Sequence, residues 1–384
     1  MNDRTVCVYG VGSSHFGKQP DTSPSELAWT AVAEALGDAG VDSVDAVYVG
    51  TVFGAPGVAQ RALHALGIVE VPILTLENAC ASGTTAYHEA FTAVGLGRYE
   101  RVLVLGVEKM TAAFDGAIHP EDTDAEGRSG LALPALYAMS AARYVHEHGL
   151  TPEQLALVSV KNHRHALGNP RAQYRGDHTV EEVLASRLIA DPLTLLQCCP
   201  IADGAAAAVL GPDRGEPRDI RIRSSVLRSG ALWDETSPHV WGFDLVAATA
   251  RDAFDQSGVG VSDADLFEVH DAFTIGEIVT TEALGLAEPG GGGRLVESGH
   301  TTIGGPQPVN PSGGLLSRGH PLGCTGVAQV AEVVWQLRGE ADARQVGNAR
   351  IGVVETMGGG VAGIDGNACV VSVLERPHAG PGAR

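Results

Sequence analysis

Cys80 follows the extended stretch Leu74–Glu77 and precedes Ala81-Ser82-Gly83-Thr84, so its thiol falls where a strand turns sharply into a helix. Free backbone N–H groups and the helix dipole at such a turn favour a thiolate. A cysteine there also serves simply as a small packed residue, so the thiol alone decides nothing. Asn310-Pro-Ser-Gly-Gly314 leads into Ser317-Arg-Gly-His-Pro-Leu-Gly323, which presents His320 on a glycine-framed loop just before another helix. An imidazole held that way can deprotonate a thiol and later return the proton. A second histidine, His270 of Glu268-Val-His270-Asp-Ala-Phe273, ends a strand, and the adjacent Asp271 is expected to set its ring orientation. His270 suits an oxyanion donor. Glu355-Thr-Met-Gly-Gly-Gly360, after the apolar Ile351–Val354, either turns N–H groups toward a developing oxyanion or makes only a tight turn.

The elements that must hold these groups alternate. Strand-like runs (Val6–Val11, Ala46–Val49, Arg101–Val107) alternate with helical stretches (Pro24–Ala39, Thr84–Leu96), the pattern of α/β layers. Ser23-Pro-Ser-Glu26 reads as a capping box that opens the first helix, and Gly37 and Gly40 close it. The alternation is written twice. Cys80-Ala-Ser-Gly83 has a counterpart in Cys324-Thr-Gly326, and Asp203-Gly204 has one in Asp365-Gly366, each opening a small-residue strand. The two pairs of marks are offset by roughly 244 and roughly 162 residues, so the first half carries on the order of 80 extra residues. That insertion spans about 111–196, contains the helix-like Leu133–His148 and reads as a substrate-covering subdomain, while a Pro/Gly cluster divides the halves into 1–215 and 216–384.

A formal charge of -20 disfavours nucleic acid, whose binding draws on clustered Lys and Arg. The run Lys161, Arg164, Arg171 and Arg175 can still offset that field locally for an anionic cofactor such as coenzyme A, or simply solvate a helix face. No stretch has the roughly 20 apolar residues of a membrane span, and Met1–Arg4 does not resemble a signal peptide, so a cytoplasmic enzyme is expected. The cysteines lack metal-ligand spacing; no metal is expected, and the adjacent Cys198 and Cys199 read as core packing.

Together these motifs resemble the thiolase superfamily, in particular its sterol-carrier-protein-X type and archaeal members. The match includes Asn78-Ala-Cys80-Ala-Ser-Gly83, Gly106-Val-Glu-Lys-Met110, Lys161-Asn-His163, Asp191-Pro-Leu193, Asp203-Gly-Ala-Ala206, His270-Asp-Ala-Phe273, Asn310-Pro-Ser-Gly-Gly314 and Gly319-His-Pro-Leu-Gly323. The resemblance implies a duplicated five-layer α-β-α-β-α fold with a loop domain inserted in the first half. It also implies a two-stage acyl transfer in lipid metabolism. Cys80, activated by His320, takes an acyl group from acyl-CoA, with the N–H groups of Cys80 and Gly359 as oxyanion hole. His270 and His320 then flank the thioester oxygen of the second stage. Coenzyme A is substrate or product, and no cofactor stays bound. Family members pair across a twofold axis through strands such as Ile73–Leu76, and many work with a small OB-fold and zinc-ribbon companion.

One departure matters. The family usually carries a second cysteine that moves the α-proton, and the two positions for it hold Thr356 and Ala272 here. Neither side chain can shuttle a proton. Cys324, four residues after His320, is one conceivable substitute. Three readings remain: a thiolase cleaving or forming β-ketoacyl-CoA, an acyltransferase to an already nucleophilic carbon, and a non-catalytic subunit of an acyl-CoA-binding complex. Retention of Cys80, His270 and His320 together argues against the last.

Overall fold

The computed structural model describes residues 4–119, 123–234, 236–359 and 363–377. The apolar runs form strands that are buried almost end to end, as in a sheet covered on both faces. In the first half these are β1 (Val6–Ser13), β2 (Ala46–Gly50), β3 (Ile73–Leu76) and β4 (Val102–Lys109), then the ribbon β5 (Leu188–Ala190) and β6 (Leu193–Thr194), then β7 (Asp203–Pro212). The second half supplies β8 (Ile220–Arg228), β9 (Leu266–Glu268), β10 (Ile351–Gly358) and β11 (Ala368–Glu375). The sheet order is β3-β2-β4-β7-β1-β8-β11-β10-β9.

The duplication shows in the pairing. β2 and β4 are parallel while β4–β7 and β7–β1 are antiparallel, and β9–β10, β10–β11 and β11–β8 repeat that sequence of directions. Val309 bridges Phe267 in parallel beyond β9, where the first half has β3. The halves join through three residue pairs between β1 and β8.

Helices supply the other layers. In the first half α1 (Pro24–Ala39), α2 (Val58–His64) and α3 (Ser82–Gly95) precede the helices of the β4–β7 connection: α4 (Met110–Ala113), α5 (Ala125–Arg128), α6 (Leu133–His148), α7 (Pro152–Ala166) and α8 (Val180–Ala185). The second half has α9 (Phe243–Ser257), α10 (Thr274–Ala283), α11 (Gly292–Glu297), α12 (Gly314–Arg318) and α13 (Leu322–Arg338). α1 begins with the expected reciprocal cap, in which Glu26 N–H donates to Ser23 Oγ at 3.2 Å and Ser23 N–H to Glu26 Oε2 at 2.8 Å. Gly40, at φ 63°, closes it.

Side-chain alternation fixes the layer order. Val102 and Val104 of β4 face α3 and α13, whereas Leu103, Leu105 and Val107 face α1 and α2. In the second half Val354 and Leu374 face the same α3–α13 layer, while Val353, Val371 and Val373 face α9. The result is α1–α2, sheet, α3–α13, sheet, α9: the expected five layers. Residues 359–367 separate β10 from β11, whereas the matching β4–β7 connection holds, among the described residues, five helices and a ribbon. Among the described residues no helix is long and apolar enough to cross a membrane.

Candidate active site

The central layer places both reactive side chains at helix starts. Before α3 the chain turns through Ala79 at φ 49°, and Ser82 Oγ donates to Ala79 O at 2.6 Å while accepting from Asn78 N–H at 2.8 Å. Before α13, Gly319 adopts φ 109°, which a larger residue would strain. The two helix starts then approach closely: a Cβ on Gly83 or on Gly106 of β4 would lie 2.6 Å from the Gly323 carbonyl oxygen. Buried Glu108 braces the junction by accepting N–H bonds from Val52 at 2.8 Å, Phe53 at 3.0 Å and Gly323 at 3.0 Å.

Cys80 Sγ consequently sits 3.3 Å from His320 Nε2. His320 Nδ1 lies 2.7 Å from Thr325 Oγ1, and that hydroxyl also reaches the Pro321 carbonyl at 3.1 Å. A carbonyl only accepts, so the threonine proton goes to Pro321 and Nδ1 carries a proton that it donates to Thr325. The lone pair is thereby left on Nε2, facing Cys80. This is the tautomer of a base.

Burial governs the charge states. It pushes the Cys80 thiol up to about 12, against the N–H groups of Gly359 and of Cys80 itself, which stabilise negative charge on sulfur. It also holds His320 well below the usual imidazole range, reinforced by His270 and Arg318. The N–H groups that favour a thiolate are present, and burial opposes them, favouring a neutral thiol beside a neutral imidazole.

His270 packs edge-on against His320, with ring centroids 5.0 Å apart. It is only 3% exposed, both ring nitrogens lack a hydrogen-bond partner among the described residues, and burial lowers it to about 3. Asp271 does not orient it. That carboxylate turns away to accept from Asn162 Nδ2 and from Leu315 N–H, each at 2.7 Å. His270 is anchored instead through its backbone N–H, which donates to Glu355 Oε2 at 2.9 Å, and burial raises Glu355 to about 7. The facing atoms of Cys80, His270 and His320 lie within 4.8 Å of one another, close enough to grip one soft cation.

The remaining expected positions divide. Ala272 lines the cavity beside Cys80, but Thr356 is buried and its hydroxyl is committed to Gln329 at 2.5 Å. Cys324 is fully buried in the core around α3 and α13 and does not line that cavity. The basic run is not a patch either. Lys161 is buried and paired with Glu277 at 2.9 Å, and Arg171 is paired with Glu34 at 2.6 Å. Of the Gly358–Gly360 run, Gly360 lies outside the described residues, while Gly359 lines the cavity.

That cavity, about 320 Å³, holds Cys80, His320 and Gly359 at its base, and the long β4–β7 connection supplies Tyr137, Tyr174, Leu195, Cys198 and Cys199. Cys198 and Cys199 thus face the cavity as well as the core packing expected of them. Sequence reasoning also missed Thr325, Glu108 and Glu355. All three stand inside quoted stretches, yet the partners of Glu108 and Glu355 lie far away in the chain.

Comparison with known proteins fits this geometry. The model of the thiolase N-terminal domain matches residues 8–214, and the thiolase C-terminal domain-like model matches residues 235–371. The chain belongs to the thiolase superfamily. An acetyl-CoA acetyltransferase of Methanothermobacter thermautotrophicus is 44% identical over 370 residues, covering 93% of this chain and 97% of that one. Sterol carrier protein 2 of Gallus gallus is 38% identical over 385 residues, 94% of this chain and 70% of that one. The benzoylsuccinyl-CoA thiolase subunit BbsB of Thauera aromatica is 38% identical over 370 residues, 93% and 96%. A solved structure, the Ltp2-ChsH2(DUF35) aldolase, superposes with TM-score 0.82 at 25% identity, covering 98% of this chain and 99% of that one. This thiolase is accordingly an acyl-CoA acyltransferase.

Proposed function

We propose that this thiolase cleaves or forms β-ketoacyl-CoA through an acyl-enzyme on Cys80. The observation that carries the reading is the 3.3 Å contact between Cys80 Sγ and the free lone pair of His320 Nε2. In the first stage His320 takes the thiol proton as sulfur attacks the acyl carbonyl. The N–H groups of Cys80 and Gly359 already converge near the sulfur and stabilise the oxyanion. His270, buried with unpaired nitrogens beside His320, supports an oxyanion role for the second stage, held in place by Glu355.

Coenzyme A is the carrier and product, with no cofactor bound between turnovers. Lys18 and Arg187 are exposed on the cavity's lining and form no ion pair with another described residue, which suits them to its phosphates. The halves divide near residue 215, and residues 111–196 cover the acyl chain. β3 lies at the sheet edge with Leu74 41% exposed, so a second copy pairs there as a homodimer or larger assembly. A small OB-fold and zinc-ribbon companion completes the assembly, a reading supported by the naming of BbsB as a subunit and of the solved aldolase as Ltp2-ChsH2(DUF35).

Intact-mass analysis after exposure to a panel of acyl-CoA thioesters tests the reading. The wild-type chain gains one acyl group and Cys80→Ala gains none. A Cys80→Ala enzyme that still acylates and turns over refutes it.

A further inference from the structure

We propose, resting on that reading, that Cys199 is a catalytic residue of this thiolase: its thiol exchanges a proton with the substrate's α-carbon opposite the acyl group on Cys80. Any carbon–carbon cleavage at this site needs a second proton carrier. When Cys80 attacks a β-carbonyl, the departing fragment is a thioester enolate that must be protonated, while His320 holds the proton it took from Cys80 for a later step. Ala272 has no proton to give, and the Thr356 hydroxyl is both a very weak acid and bonded to Gln329.

The placement of Cys199 is set by pairing. Residues 198–201 run as a strip between the two histidine loops. Cys198 bridges Phe273, Cys199 N–H donates to the Ala272 carbonyl at 2.8 Å, and Ile201 bridges His320. Cys199 is thereby held directly against Ala272 and opens on the same cavity as Cys80, His320 and Gly359. His270 places a ring atom within 4.8 Å of the facing atoms of Cys80 and His320, and both its nitrogens are buried without a partner among the described residues, a separate sign that a ligand belongs beside Cys80. Burial keeps Cys199 a neutral thiol, which is the form able to give a proton.

In the cleavage direction the bonds and protons balance. The Cys80 proton passes to His320 as sulfur bonds to the β-carbon; the bond between α- and β-carbons then breaks, and its electron pair stays on the α-carbon. Cys199 S–H supplies that carbon's proton, releasing a shortened acyl-CoA and leaving the Cys199 thiolate. Coenzyme A thiol returns a proton to Cys199 and its sulfur attacks the thioester. Cys80 departs and recovers the proton held by His320. Condensation is the reverse.

The test uses the full chain in deuterated water, following acyl mass on Cys80 and deuterium at the α-carbon of the acyl-CoA together. Cys199→Ala should acylate within about twofold of wild type, yet lose α-exchange and thiolysis by about 10² to 10⁴, the usual worth of a positioned acid–base group. Adding Ala272→Cys to that variant should restore exchange at least about tenfold, because it returns a thiol to the neighbouring backbone position. If Cys199→Ala acylates and exchanges normally, this inference falls while the acyl-enzyme reading stands. If the wild type never acylates, the acyl-enzyme reading itself falls. Should Cys199→Ala fail to acylate, Cys199→Ser, closer in volume, is read on the same two signals.

Discussion

Thr325→Val tests whether the His320 tautomer matters. Valine has nearly the same shape as threonine but cannot accept the Nδ1–H bond now made at 2.7 Å. The Pro321 carbonyl does not become an orphan, since it also accepts the backbone N–H groups of Cys324 at 2.9 Å and Thr325 at 3.0 Å. Only His320 loses its partner. Leaving a buried N–H unsatisfied costs about 1–3 kcal/mol. The ring relieves it by moving its proton to Nε2, which then points a hydrogen at Cys80 instead of a lone pair. At about 1.4 kcal/mol per factor of ten, the competent tautomer falls by roughly 5- to 150-fold. Acylation should slow by a similar factor, about tenfold to a hundredfold. Single-turnover release of coenzyme A measures it, with Thr325→Ser as control, expected within about threefold of wild type. His320→Ala sets the floor, at about 10² to 10⁴ below wild type. If Thr325→Val acylates like wild type while His320→Ala is slow, Thr325 does not set the tautomer and the argument from hydroxyl geometry is wrong.

Three further outcomes follow from the same geometry. His270→Ala should form the acyl-enzyme at near-normal rate but slow its transfer by about 10² to 10³; blocked acylation with normal transfer would reverse the roles of the two histidines. Glu355 titrates near 7 folded against 4.5 unfolded, so the folded chain holds a proton that the unfolded chain has lost in that window, and its contribution to stability falls as pH rises from 4.5 through 7. Glu355→Gln should therefore gain stability relative to wild type over that rise, by at most about 3 kcal/mol; melting-point differences that stay constant with pH would contradict this. Zinc should slow acylation by bridging Cys80, His270 and His320, and a chelator should reverse it. Equal zinc sensitivity in His270→Ala would remove that histidine from the metal-binding set.

The legible parts of this protein were those written in adjacent residues. The Ser23–Glu26 cap, the Leu133–His148 helix and the turns carrying Cys80 and His320 each depend on neighbours within a few positions, so composition and spacing reveal them. Partners chosen by tertiary packing were not legible. Asp271 stands next to His270, yet the strand end turns its carboxylate toward Asn162 and Leu315, more than 40 positions away. Lys161 looks like a surface cation until Glu277 draws it into the interior. Cys199 packs as expected, but nothing local indicates that its backbone pairs with Ala272 or that it also faces the cavity. Internal repetition showed that the alternation is written twice, but the five-layer order came from the family resemblance, because the α3–α13 layer is shared by strands of both halves and no local signal records that.

The site works by refusing charge at rest. A thiolate at Cys80 would be a ready nucleophile, and the N–H groups of Gly359 and Cys80 are placed to hold it, but burial keeps the thiol protonated up to about 12. Burial equally keeps His320 unprotonated. Proton transfer across the 3.3 Å contact would create two charges in a poorly solvated pocket, so it is favourable only when the new negative charge moves onward to a carbonyl oxygen. In the proposed reaction the same N–H groups stabilise charge on that oxygen rather than on sulfur. On the proposed mechanism deprotonation is thereby tied to attack on a thioester. On that mechanism Thr325 and Glu108 act through other groups, the hydroxyl by holding the His320 tautomer and the carboxylate by bracing the start of α13.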